Sequence, residues 1–169
     1  MINDILTAII TRLAAKETAI KYIDEDWGQL DYYSPNPPIK FPGVLVDIEN
    51  ISWKNQGKLV QDGLMNISIR VADLKLTNTS LRAPAAQKTA AVSIWRIIEN
   101  IHKVLHGWSP GQQYGLLTRI STGRVKRDDG IREYRIVYNC TVTDTSAMPV
   151  ENTTTKPVVQ IAEIKKATQ

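Results

Sequence analysis

Residues 84–107, PAAQKTAAVSIWRIIENIHKVLHG, decide the fold. Ala91, Ile94, Trp95, Ile98, Ile101 and Leu105 recur at spacings of three and four, which places them on one face of a helix. Thr79 and Ser80 offer capping oxygens just upstream, and Pro84 sits where a first-turn proline is tolerated because its missing N–H has no intrahelical partner. Gly107 ends the pattern and Pro110 forbids an early restart. The stretch therefore predicts one long amphipathic helix that must bury its apolar side against something flat.

The flanking segments supply that surface. Residues 44–50 alternate, with Val44, Val46 and Ile48 on one face. In 63–74, Met65, Ile67, Ile69 and Val71 alternate with Asn66, Ser68, Arg70 and Ala72. The segment Trp53-Lys-Asn-Gln-Gly57 between them reads as the turn of a hairpin. Residues 114–124 and 131–144 predict a second hairpin around an Asp-Gly turn, with Tyr134, Ile136, Tyr138, Cys140 and Val142 sharing one face. Residues 2–22 open the chain as a helix with a stripe of Ile2, Ile5, Leu6, Ile9, Ile10 and Leu13. The expected class is α+β in the order α-β-β-α-β-β. It has a four-stranded antiparallel sheet with helices packed on one face. A single domain spans 1–145. From 146 to 169 the composition turns to Ser, Thr, Pro and Lys, an extended tail in which Val158, Val159, Gln160 and Ile161 offer a short strand, at home or on a neighbour's sheet edge.

Residues 24–43 between the first helix and the first hairpin carry four prolines and two glycines, an irregular connection of unusual length. Its Trp27, Tyr32 and Tyr33 belong to the residue types enriched at interfaces. Two readings stay open: an interaction segment, or a loop whose aromatics pack back on their own domain.

The 169 residues have ordinary globular composition, with 43% hydrophobic and 22% charged side chains, so a real core is expected. No apolar run reaches the roughly 18–20 residues that span a membrane, and the N-terminal residues do not read as a signal peptide. Cys140 is the only cysteine, which rules out an intramolecular disulfide and makes a reducing compartment the default. The net charge of +4 is uneven: residues 1–50 hold four basic and eight acidic side chains, and the remainder holds 17 and nine. Such asymmetry fits nucleic acid, or complementary faces that meet between copies of one protein.

Chemistry is sparse. Glu99, His102 and His106 share one helix face at metal-ligand spacing, but no second Glu-x-x-His completes a site, so no metal is expected. Cys140 lies mid-strand among apolar neighbours as an inert thiol, and neither a nucleophile elbow nor a phosphate-binding Gly loop is present. The acidic run 24–26 lacks the spaced ligands of a calcium loop and reads as a solvated charge run. No catalytic residue and no cofactor is assigned. Arg119, Arg124, Lys126, Arg127, Arg132 and Arg135 cluster along the last hairpin, whose tip is expected to project. Asp128, Asp129 and Glu133 interrupt them, and no aromatic between Leu117 and Ile131 can stack a base. A hairpin of both signs suits docking on an acidic face of another copy.

With this order in view, residues 1–145 resemble the tail-terminator, or tail-completion, proteins of long-tailed bacteriophages and prophages. The likeness lies in the opening Met-Ile-Asn-Asp-Ile-Leu-Thr-Ala-Ile helix, the Pro-Gly-Val-Leu-Val-Asp-Ile strand after a Pro-rich loop, the Met-Asn-Ile-Ser-Ile-Arg-Val strand, the helix after Arg82 and the long basic hairpin. The resemblance implies a structural, non-enzymatic virion protein of the tail or neck, assembled in the host bacterial cytoplasm. Its copies would form a ring, usually a hexamer, that caps the tail tube, stops its polymerisation and joins tail to head. The implied partners are other copies of the chain, the tail-tube protein and a head-connector protein. Nucleic acid would only pass through the lumen, and no membrane is involved. A head–tail connector, or less favoured a basic nucleic-acid-binding module, is the alternative. Within this reading Trp27, Tyr32 and Tyr33 of the loop, and Arg124, Lys126, Arg127 and Arg132 of the hairpin, are the candidate subunit and tube contacts.

Overall fold

A computed structural model describes residues 2–33, 36–74 and 79–149. The 150–169 part of the expected tail, with its candidate strand, lies outside the described residues. Helix α1 covers Ile2–Lys16 and is followed by β1 (Tyr22–Glu25), a single-turn α2 (Gln29–Tyr32), β2 (Gly43–Gly57) and β3 (Val60–Leu74). Helices α3 (Ala85–Ala91) and α4 (Ser93–Leu105) lead into β4 (Thr118–Val125) and β5 (Ile131–Asp144). The sheet order is β1-β2-β3-β5-β4.

Several corrections to the expected architecture follow. The sheet has five strands and is mixed, because β1 pairs parallel with β2 from Tyr22↔Gly43 to Glu25↔Val46. The other neighbours are antiparallel. The first helix stops at Lys16, and beyond it Glu17 Oε1 accepts from the Ala19 amide (3.1 Å) in a turn that brings Ile20 against the core outside the helix. The first hairpin does not turn at 53–57. β2 runs on to Gly57, and the turn is Lys58-Leu59, both at positive φ (51° and 63°), the two-residue turn whose twist suits paired strands.

The long helix is also divided, and the cause lies far away in sequence. In an unbroken helix the Trp95 amide would donate to the Ala91 carbonyl. It donates instead to Val92 (3.1 Å), while the Ala91 carbonyl accepts 2.7 Å from Arg132 Nη1. A side chain inserted into the ladder is a recognised origin of helix breaks.

The main core fills one side of the sheet. Ile5, Ile9 and Leu13 of α1 and Ile94, Ile98, Ile101 and Leu105 of α4 pack on Val44, Val46, Met65, Ile67, Ile69, Val71, Ile136 and Tyr138. The opposite side holds a smaller cluster of Leu30, Leu45, Ala72 and Ile131, with Tyr22, Ile39 and Phe41 packed against it. The irregular loop, with α2 in it, thus lies across the second face of its own sheet, and this corrects the expectation of helices on one face alone. No helix among the described residues is long and apolar enough to cross a membrane.

Candidate functional site

The second sheet face carries the densest polar chemistry, built from strand alternation. Arg70 on β3 and Arg135 on β5 are register partners, next to Ala72 and Glu133, and all project away from the helices. Arg70 Nε donates to Glu133 Oε1 (2.6 Å), Nη1 to Asp26 Oδ2 (2.8 Å) and Asp31 Oδ2 (2.9 Å), and Nη2 to Asp31 Oδ1 (3.1 Å). Arg127, from the β4–β5 turn, folds back beside it. Its Nη1 donates to Asp31 (2.6 Å) and Glu133 (3.0 Å), and its Nη2 to Asp129 (2.6 Å) and the Leu30 carbonyl (2.9 Å). Glu133 is only 1% exposed. A buried carboxylate persists when charge partners and hydrogen bonds replace its water, and two guanidinium groups do so here. Burial pulls the Arg70 pKa down, yet hydrogen bonds from Glu133, Asp31 and Asp26 more than offset this and hold it above the ordinary arginine value. The hydrogen bond from Arg70, opposed by burial and joined by Arg127, lowers the Asp31 carboxyl. Asp26 is therefore part of an internal ion network, where the sequence suggested a solvated charge run.

This network fixes the loop. Gly28 at φ 92° turns the chain, and a Cβ there would lie 2.2 Å from the Tyr32 ring. Buried Gln29 ties the turn together, donating to the Glu25 carbonyl and accepting from the Trp27 amide. Leu30 enters the small core. Both readings of the loop then hold for different residues. Leu30, Ile39 and Phe41 pack at home, whereas Trp27, Tyr32 and Tyr33 remain 49%, 81% and 51% exposed, with Trp27 and Tyr33 in an edge contact at 5.7 Å.

The basic candidates separate in the same way. Arg124 and Lys126 are exposed. Arg127 is held inward by the network, so the hairpin tip folds back on its own sheet instead of presenting that charge. Arg132 is 7% exposed, bonded to the Ala91 carbonyl and to Asp73 (3.2 Å), and divides the helix pair. Thr79, Trp95, Arg124, Arg132 and Tyr134 line a hollow of about 260 Å³, in which the Trp95 and Tyr134 rings meet at 4.5 Å. Sequence reasoning placed Arg70 and Arg135 on the polar strand face but gave no sign of their partners, which come from three separate segments.

His102 and His106 stack at 4.7 Å, and His106 Nδ1 accepts from the Arg119 amide (3.2 Å). Burial, then Arg119 and His106, push the His102 pKa down. Among the described residues no three potential metal ligands gather, and Glu99 points to solvent. Cys140 is buried, and burial pushes its thiol up to about 11.

No protein-family model matches this sequence, and no curated protein does. Among solved structures, a chain from the virion of a native gene transfer agent particle is similar, with TM-score 0.51 at 13% identity, over 82% of this chain and 94% of that one. What the two share is the fold. The likeness spans nearly the whole of the virion chain, so that chain and the described domain correspond as units.

Proposed function

We propose that this chain is a structural protein of a phage-like particle, and that it caps the tail tube as a ring, ending tube polymerisation and joining tail to head. The observation that carries the reading is the shared fold with a virion chain over 94% of that chain's length. The surface chemistry supports it. Three aromatic residues stand exposed on a loop clamped by buried ion pairs, which presents contact area at low entropic cost. Four hollows among the described residues are lined by turn residues, by mutually paired ions, by the β4–β5 strand pair and by the Trp95–Arg124 cluster, and we assign no enzymatic activity to them. The contacts we assign to subunits and tube are Trp27, Tyr32 and Tyr33 together with Arg124 and Lys126.

The test is solution mass by light scattering at low and high salt, with micrographs of the peak and of the protein mixed with polymerising tail tubes. A ring of about six copies, or tubes capped at one end and shortened, is the expected result. Binding to the head connector alone would assign the protein to the connector. A monomer that ignores tubes and retains nucleic acid, with affinity falling steeply with salt, would sink the reading.

A further inference from the structure

Among the described residues both outer edges of the sheet are open, apart from the Arg119 amide, which His106 Nδ1 takes. β1 covers only Gly43–Val46 of β2, four of its 15 residues, so 11 residues from Asp47 to Gly57 have β3 on one side and no strand on the other among the described residues. At the far side, β4 is the terminal strand over its eight residues. An open edge offers a row of backbone donors and acceptors to another chain. The open part of β2 has a register shift near each end, at Glu49 and between Asn55 and Gly57, β4 has one at Ile120, and each edge carries charge. Bulges and charges discourage indiscriminate pairing, so only a matched edge can add.

The edges match each other. Because β2–β3, β3–β5 and β5–β4 are all antiparallel, β4 runs opposite to β2. Rotation about an axis along the strands preserves strand direction, so β4 of one copy meets β2 of the next antiparallel. That alignment sets the Val125 end of β4 at the Asp47 end of the open stretch. Arg124, whose partner on β5 is Tyr134, then comes towards Ile48 and Arg119 towards Trp53 on the helix face, while Asp47 and Glu49 lie on the other face, where Glu49 pairs with Arg135. At about 3.4 Å per residue, β4 needs roughly 27 Å of edge and the open part of β2 offers roughly 37 Å. The competing two-fold pairing of β4 with β4 would set Arg119 and Arg124 against the same residues of the partner, and like charges across a strand pair repel.

We propose that β4 of one copy adds to the open edge of β2 in the next, head to tail, so that the closed ring carries one sheet continuous across subunits. The proposal rests on the ring reading above and names the contact that builds it.

Ser121, Asn50 and Ser52 are exposed on the sheet face opposite the helices, and the two face-matched registers bring Ser121 to one or the other. The variants are Ser121→Cys with Asn50→Cys and Ser121→Cys with Ser52→Cys, against the buried native Cys140. Within one chain the two edges are three strand spacings apart, roughly 14 Å, beyond the about 7 Å limit for a disulfide. Oxidation of the assembled protein is expected to give one pair a covalent ladder past the dimer that collapses on reduction, while each single variant gives none. Covalent dimers from Ser121→Cys alone would overturn the proposal in favour of β4–β4 pairing. A ring by light scattering in which neither pair cross-links would overturn the edge contact and leave the ring standing. A monomer both in solution and at tube ends would overturn both.

Discussion

Arg70 has the most to lose at the scale of single residues. It meets three carboxylates, one of them the almost fully buried Glu133, so its removal leaves that buried charge with Arg127 as its one remaining guanidinium partner. Breaking such a pair from one side costs about 3–5 kcal/mol, and Arg70→Met is expected to lower the unfolding free energy by that order in urea titration. Adding Glu133→Gln should recover part of the loss, because the uncompensated charge goes with it. Asp31 makes the same network sensitive to acid. Its folded pKa lies below the ordinary 3.8, so its stabilisation is complete above that value and is lost as pH falls through the lower folded value. Trp27 fluorescence followed below about pH 4 should report the loop loosening, and Asp31→Asn should flatten that dependence. Cys140 follows from burial alone. With its thiol raised to about 11, labelling of the native protein near neutral pH should be far slower than labelling in denaturant.

Elements show where local sequence is sufficient and where it is not. β5 follows the alternation of its sequence from Tyr134 to Val142, and the buried faces of α1, β3 and α4 follow their periodicities except that Ile2 and Trp95, expected inside, are exposed and Ile97 is buried. β1 escaped notice because four residues, Tyr-Ile-Asp-Glu, are too few to show a period, and their pairing is with a strand 18 residues later. The division of the helix at Val92 was invisible because Arg132, which takes the Ala91 carbonyl, lies 41 positions away. The same residue looked like a free surface cation when only hairpin spacing was in view. The candidate site divides along that line: exposed aromatics are legible from composition, but which arginines are consumed internally is a property of the closed sheet. The first turn was misplaced because Asn55 and Gly57 carry stronger turn chemistry than Lys58-Leu59, which adopts positive φ without glycine or asparagine. Left-handed backbone at non-glycine residues costs roughly 1–2 kcal/mol per residue. Lys58→Asn with Leu59→Gly, the favoured chemistry for this turn, should therefore raise the melting temperature. An unchanged or lowered melting temperature would show that the 57% exposed Leu59 side chain contributes enough at the tip to offset its backbone.

For the whole molecule, the question is whether folding and assembly use separate residues. The loop is held by Asp26, Gln29, Leu30 and Asp31, whose partners are Arg70, Arg127 and the small core, and none of these anchors is aromatic. Trp27, Tyr32 and Tyr33 stand on that base facing outward. Substitutions at exposed positions away from such anchors change stability by about 0.5 kcal/mol or less. Tyr32→Ala, at the most exposed of the three, should accordingly leave the urea midpoint almost where it was. If the aromatic face is the contact, however, the variant should bind tube ends or neighbouring copies at least about tenfold more weakly, since buried tyrosines at interface centres commonly contribute above 1 kcal/mol. Arg70→Met should do the reverse, weakening the fold first and assembly only as a consequence. Measuring both variants by urea titration and by tube-end binding separates the two roles. Loss of stability in Tyr32→Ala without loss of binding would mean that the loop serves its own sheet, and the search for the tube contact would move to Arg124, Lys126 and the open strand edges.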